Sequence, residues 1–514
     1  MREVAREGGF HLAYAIPDHP WVDSADGAAV RIAMTVGTAG ASGEGRLLSV
    51  VDEREGNGEG VEVTLQEQVG LLHADLRIGA DVAGVKALRA NELISYPGVE
   101  PHGAGFVVSP EDIAHLDADA PIKTYRNGRD LTDRPRGVKV IDLFGLSAEE
   151  VRIRYPATYQ WVLERVKPER DHNKRESRRE RWWIFGEPCP KFRAASSGLH
   201  RYVATVKTAK HRLFQFLDSD ILPDSKLIAI TSADAYHLGV LSSRVHVCFA
   251  TAAGGWLGVG NDPTYVKGRS FEAFPFPDAT PEQTTRIRDL AEQLDAHRKR
   301  QQAAHAALTL TGMYNVLEKL KSGEALTAKE KIIHEQGLVS VLKTLHDELD
   351  AAVLAAYGWG DLAPSLSDPE QQEAAGETLL VRLVALNAER VAEEAQGRIR
   401  WLRPEYQHPA GLPLPASAVG ERAAPAAPNE ISDADTAKVA SVGATPRDPW
   451  PALLPEQVAA VARVLAASSG PLSLADLAAR FTGKGPWKKR LPQIIDTLEA
   501  LGRARRDVEG RVVG

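Results

Sequence analysis

The chain has 514 residues, 43% hydrophobic and 25% charged, with a formal net charge of −7. That length implies three or four domains with their own cores, and the composition excludes a disordered or fibrous chain. No apolar run reaches the roughly 18 residues that span a bilayer, the charged N-terminus is not a secretory signal, and two cysteines, Cys189 and Cys248, make neither a disulfide framework nor a structural zinc site, so a cytoplasmic protein without metal is expected.

FHLAYAI (10–16) and AAVRIAMTV (28–36) read as strands, the second apolar enough to be buried on both faces. Turn residues separate them. The glycine-rich stretch 37–60, with RLLSVVDE inside it, reads as an elaborated surface hairpin. GFVVS is the next strand. VKVID then leads to Ser147, an N-cap with Glu150 three residues on, the capping box that opens a helix. Tyr155, Tyr159, Val162 and Val166 continue at helical spacing. Mixed α/β structure follows to about 277. A long charged helix starts near Pro281, with further helices around 328–357 and 368–394, where Leu345, Leu349, Val353 and Ala356 form an amphipathic stripe. Residues 404–450 are rich in Pro, Ala, Ser and Asp without periodicity and read as a disordered linker. The last stretch, 451–514, reads helix, helix, basic loop, helix, hairpin, a winged-helix-like order.

The charge is unevenly spread. From Glu164 to Arg212 there are fourteen Lys/Arg against six Asp/Glu, and from Lys484 to Arg506 seven against two. Two basic patches therefore sit in an acidic chain. Arg201, Lys207, Lys210, His211 and Arg212 fall within twelve residues around a predicted strand, with Arg178, Arg179 and Arg181 on the approach. Such a cluster can reach phosphates or base edges; for any single residue a solvated surface charge is the alternative. Phe271, Phe274 and Phe276 read as packing residues, and His237 and His246 as structural histidines. Asp224 and Lys226 read as a turn before LIAIT.

WWIFGEP, RYVATVKTAKHRLF, YHLGVLSSRVH and FEAFPFP, in that order, resemble the target-recognition region of MmeI-like (type IIL) and phage-defence DNA adenine methyltransferases. GGFHLAYAIPDHPWVDSADGAAVRIAMTV resembles the last two strands of the methyltransferase sheet in the same family, matching at Pro20, Trp21, Ala28, Val30 and Arg31. The resemblance implies a mixed α/β multidomain chain: terminal strands of a Rossmann-like methyltransferase sheet with insertions (1–140), a target-recognition domain (141–277), a helical domain (278–403), the linker (404–450) and the winged-helix-like unit (451–514). It implies double-stranded DNA as partner, S-adenosylmethionine as cofactor, and Trp21 near the flipped base; a Trp packing the sheet edge is the alternative. The family's glycine-rich cofactor loop and Asn/Asp-Pro-Pro-aromatic loop are not found in the sequence. Asp262-Pro263-Thr264-Tyr265 lacks the second proline and reads as a turn between strands. No catalytic residue is therefore assigned, and a separate chain carrying the catalytic motifs is expected. The implied function is sequence recognition for a SAM-dependent adenine-N6 methyltransferase of a restriction-modification or phage-defence system, inactive alone. The alternative is a non-catalytic specificity subunit that recruits methyltransferase or nuclease partners.

Overall fold

The computed structural model describes residues 10–20, 31–40, 43–55, 61–257 and 262–409, and single positions and short stretches between 448 and 513. The chain divides into two compact units, Met1–Val419 and Gly420–Gly514. The strands of the first unit are β1 (Phe10–Pro20), β2 (Arg31–Ala39), β3 (Gly45–Glu55), β4 (Val61–Gly70), β5 (Ser95–Pro97), β6 (Val107–Val108), β7 (Ile122–Arg126), β8 (Lys139–Ile141), β9 (Arg201–Val206), β10 (Phe214–Asp218), β11 (Ile221–Pro223), β12 (Leu227–Ile230), β13 (Gly255–Leu257) and β14 (Asp262–Thr264). They form several small sheets among many helices, a mixed α/β architecture.

The first sheet has the order β2-β1-β3-β4. β1 and β2 are antiparallel, β1 and β3 touch in parallel only at Tyr14↔Arg46 and Ala15↔Leu47, and β3 and β4 form a long antiparallel ribbon. Two expectations change here. β2 is not buried on both faces: it is an edge strand and Thr35 to Ala39 are exposed. The 37–60 stretch does not close on itself, because β3 pairs with β4 beyond it as well as with β1. A small core of Ala15, Leu47 and Leu72 lies on one face.

The second sheet, order β10-β9-β12-β5, is antiparallel throughout and organises the rest. Strand alternation sends Val203, Phe214, Phe216, Ile228 and Ile230 into one core and Tyr202, Ala204, Val206, Leu217, Leu227 and Ala229 into another. The first core takes in the helices Ala235–Ser242, Arg244–Ala253, Pro281–Ala304, Leu310–Ser322, Val339–Ala356 and Gln372–Ala395. The second takes in the third sheet, order β11-β7-β8-β6, and the helices before Ser196. Packing is therefore continuous across 140/141 and 277/278, where the sequence suggested boundaries: β5, from the N-terminal stretch, completes the second sheet beside β12.

Local chemistry explains the elements. Ser147 and Glu150 make the reciprocal capping box for the helix Ala148–Arg154. That helix stops at Tyr155 because Pro156 follows and disfavours helical backbone before it; Pro156–Arg165 is a second helix. Thr280 caps Pro281–Ala304. The expected helix 328–357 is two, Ala328–Gly337 and Val339–Ala356, divided at Leu338, whose φ is 44°. Gly239 lets two helices approach, since a Cβ there would lie 2.6 Å from Ile287 Cγ2. Phe271, Phe274 and Phe276 are core residues. Pro404–Gln407, placed in the linker by the sequence, is a helical turn whose Gln407 Nε2 donates to the carbonyls of Ala90 at 2.9 Å and Glu92 at 2.6 Å; residues 410–447 of that linker lie outside the described residues. No helix among the described residues is long and apolar enough to cross a membrane.

In the second unit, Ala460, Val461, Leu465, Leu477, Phe481, Leu491, Ile494, Ile495, Leu498 and Val512 form a core. The helix Leu491–Ala500 is followed by Arg505–Arg506 paired antiparallel with Val512–Val513, the helix-then-hairpin order expected. The basic loop at 483–490 lies outside the described residues.

Candidate nucleic-acid interface

The expected basic cluster separates by geometry. Arg201 leaves β9 over the Phe216 ring at 3.6 Å, donates to the Ala233 carbonyl at 3.2 and 3.1 Å, and pairs with Glu292 of the helix Pro281–Ala304. Arg212 donates to the carbonyls of Val206 and, at 2.9 Å, Pro263, tying β14 to the β9–β10 connection; burial pushes its pKa down to about 10. Lys210 reaches Glu318 at 3.0 Å and Asn315 Oδ1 at 2.9 Å, and His211 Nε2 lies 2.8 Å from the same Asn315 oxygen. These four were expected to face a ligand. Each has a partner in the chain: Glu292, Asn315 and Glu318 come from helices packed on the second sheet, and the acceptors of Arg212 come from Val206 of β9 and Pro263 of β14.

Lys207 is different. It directly follows β9 and Lys226 directly precedes β12, and the Lys207 amide donates to the Lys226 carbonyl at 2.8 Å just beyond the last strand pair, Val206 with Leu227. Among the described residues neither ammonium group makes an ion pair or hydrogen bond. Two carboxylates lie nearby without pairing to either lysine: Asp224 accepts from the Tyr125 hydroxyl and, at 2.7 Å, from the Lys226 amide, and the charges of Asp224 and Glu100 partly offset the Lys226 charge at Lys207. Burial first, and the Lys226 charge second, lower the Lys207 pKa. Opposed like charges are destabilising, so this pair holds positive potential that an anion would relieve.

The arginine-rich segment adjoins the pair through an isolated bridge between Glu100 and Glu187. Arg178 donates to Glu187 Oε1 at 2.6 Å and to His102 Nε2 at 3.1 Å, and Arg175 reaches Glu187 at 2.9 Å. Arg179 donates to the carbonyls of Asn173 at 2.7 Å and Lys174 at 3.3 Å. Arg181 is exposed. Burial and the Arg178 charge lower the His102 pKa, which keeps the imidazole neutral as the acceptor of the Arg178 bond. The aromatics among these charges do not offer stacking faces: Trp182 is buried against Tyr159, and Trp183 Nε1 donates to the Leu146 carbonyl at 2.8 Å. His237 and His246 are buried, on Ser232 and Tyr265 respectively.

The turn expected before LIAIT is present at Ser225–Lys226, but sequence reasoning missed that it sets Lys226 against Lys207. The signal was present: VATVK and KLIAI are antiparallel partners, and pairing them end to end opposes the two lysines. Trp21 lies outside the described residues. Asp262–Thr264 is a strand paired with β13, not a turn, and Tyr265 behind it is buried. Among the described residues, no group of three or more His, Cys, Asp or Glu is placed to hold a metal. S-adenosylmethionine does not fit what is described: the parallel pairs β1–β3 and β11–β7 are not joined by a glycine-rich turn running into a helix.

No family model and no curated protein matches the chain. Among solved structures, it is similar to the type IIG restriction endonuclease BpuSI at 10% identity, covering 70% of this chain and 45% of that one, with a TM-score of 0.25 that carries no argument. The type IIL restriction-modification enzyme MmeI, in complex with DNA, aligns with a TM-score of 0.54 at 17% identity, covering 75% of this chain and 46% of that one. The chain thus has the fold of part of MmeI and spans about half of that enzyme's length.

Proposed function

We propose that this chain recognises double-stranded DNA for a restriction-modification or phage-defence adenine-N6 methyltransferase, with S-adenosylmethionine and the catalytic loops held by a separate chain. The observation that carries the reading is the opposed pair Lys207 and Lys226, whose ammonium groups make no ion pair or hydrogen bond among the described residues. A phosphate between them would offset their repulsion and release counterions. The fold shared with MmeI, whose structure was solved with DNA, supports the same reading. Arg181 and, once drawn from Glu187, Arg175 and Arg178 extend the surface along the duplex. In this reading β1 and β2 are the terminal strands of the methyltransferase sheet, and Trp21 lies close to the flipped base.

A non-catalytic specificity subunit that recruits methyltransferase or nuclease partners is the second reading. Selection of bound duplexes from a randomised pool tests what the two readings share. A short recurring sequence is expected; a pool that stays random after several rounds would remove sequence recognition from both. Methyl transfer reconstituted with a catalytic chain separates them.

A further inference from the structure

β4 (Val61–Gly70) is a regular ten-residue strand whose only partner, among the described residues, is β3. Among the described residues, no strand pairs with the backbone groups of its other edge. Proteins blunt such edges with lysine, proline or a bulge. β4 has neither lysine nor proline, and the irregularity of the ribbon lies on β3, between Val50 and Asp52. The ribbon also exposes apolar side chains: Val61 at 46%, Leu65 at 37% and Val69 at 56%. These three share one face of β4, since they sit at even separations. Arg46 and Val50 lie on that face through their partners Val69 and Leu65, and the Arg46–Glu67 ion pair is there too, at 3.5 Å.

The sequence of β4 is complementary to itself. Two antiparallel copies centred on Leu65 oppose Leu65 to Leu65, Val61 to Val69 and Val63 to Glu67 on one face. On the other face they oppose Thr64 to Gln66 and Glu62 to Gln68. No glutamate faces a glutamate. A register shifted by one residue would put the apolar face of one copy beside the polar face of the other. From residue 44 to residue 70 there are seven Asp/Glu and two Lys/Arg, a charge that disfavours nucleic acid on this ribbon. In the centred register Asp52, Glu53 and Arg54 sit one strand in from the junction, and the two ribbon tips point apart. The separation of residues 61 and 69 is roughly 27 Å at about 3.4 Å per residue, well beyond the roughly 10 Å screening length.

We propose that β4 pairs antiparallel with β4 of a second copy of this chain, joining the two N-terminal sheets into one eight-stranded sheet about a two-fold axis at Leu65. The pairing is isologous, so it closes at a dimer, and it is independent of DNA binding.

Sedimentation velocity of the full chain without DNA should show a dimer that Leu65→Lys converts to monomer, because the substitution opposes two lysines at the axis. Circular dichroism should be unchanged, since position 65 is outside every core. Register is tested by oxidation. Leu65→Cys should cross-link to itself, Val69→Cys alone should not, and Val61→Cys mixed with Val69→Cys should give the mixed dimer. A wild-type chain that stays monomeric at tens of micromolar overturns the proposal, as does a Leu65→Lys dimer or cross-linking of Val69→Cys to itself.

Discussion

Lys207 and Lys226 oppose each other at the junction of β9 and β12, 2.8 Å apart from backbone amide to carbonyl, and among the described residues neither ammonium makes an ion pair or hydrogen bond. An isolated fold gains nothing from this arrangement, because each charge raises the energy of the other. It becomes favourable when a polyanion passes over both. Removing one charge should therefore help the free protein. Lys226→Gln is expected to raise stability slightly, by about 0.5 kcal/mol, and with it the urea midpoint, while weakening duplex binding. Parallel urea titrations and fluorescence-anisotropy titrations check the opposite signs.

Arg212 holds three parts of the fold together. Truncation to Ala would leave the Val206 and Pro263 carbonyls without their donor. A loss of about 2 kcal/mol or more is expected, visible as a lower urea midpoint. Arg201→Ala should behave likewise through the Ala233 carbonyl. If either variant kept full stability and lost only DNA binding, its inward role would be refuted.

Buried histidines give a defined acid response. Burial, with the Arg212 charge adding to it, pushes His246 down to about 3. Its unfolded value is about 6.5, so the unfolded chain binds the proton first. The stability tied to neutral His246 is complete above about pH 6.5 and is lost as pH falls towards 3, by about 2 kcal/mol at pH 5. His237, His297 and His346 are lowered in the same direction by burial. Urea midpoints should fall between pH 7 and pH 5, less steeply in His246→Gln. An identical slope in that variant would show that His246 is not the source.

The contact of Gly239 with Ile287 admits no side chain, since a Cβ would come within 2.6 Å of Ile287 Cγ2 and 3.1 Å of the Ile287 carbonyl. Gly239→Val should destabilise by about 2 kcal/mol through overpacking. Ile287→Ala in the same chain should recover part of that loss, which thermal denaturation can resolve.

Legibility followed locality. The Ser147 and Thr280 caps, the three core phenylalanines and the stripe of Leu349, Val353 and Ala356 could be read because neighbours a few residues apart decide them. The helix Leu310–Ser322 was left unassigned although Thr309 caps its start and Gly323, at φ 77°, ends it. The division at Leu338 had no sequence signal, for a leucine at positive φ is held there by its surroundings. At the site, the sequence gathered basic residues but could not tell a lysine without a partner from an arginine facing a carbonyl. That distinction depends on Glu292, Glu318 and Pro263, which lie 51 to 108 residues away in sequence, counting from Arg212 to Pro263 and from Lys210 to Glu318. The pairing of β9 with β12 is equally non-local, and Lys226 was overlooked with it.

The central claim is that Lys207 and Lys226 lie under a DNA phosphate, and the salt dependence of duplex binding tests it most directly. The slope of log affinity against log salt falls by about 0.9 for each phosphate contact removed. Lys207→Gln with Lys226→Gln should therefore flatten the slope by about 1, the contribution of the one phosphate they share, while Lys210→Gln, whose ammonium is already paired with Glu318, should leave it close to wild type. A doubly substituted chain that bound duplex DNA with the wild-type affinity and slope would contradict the account.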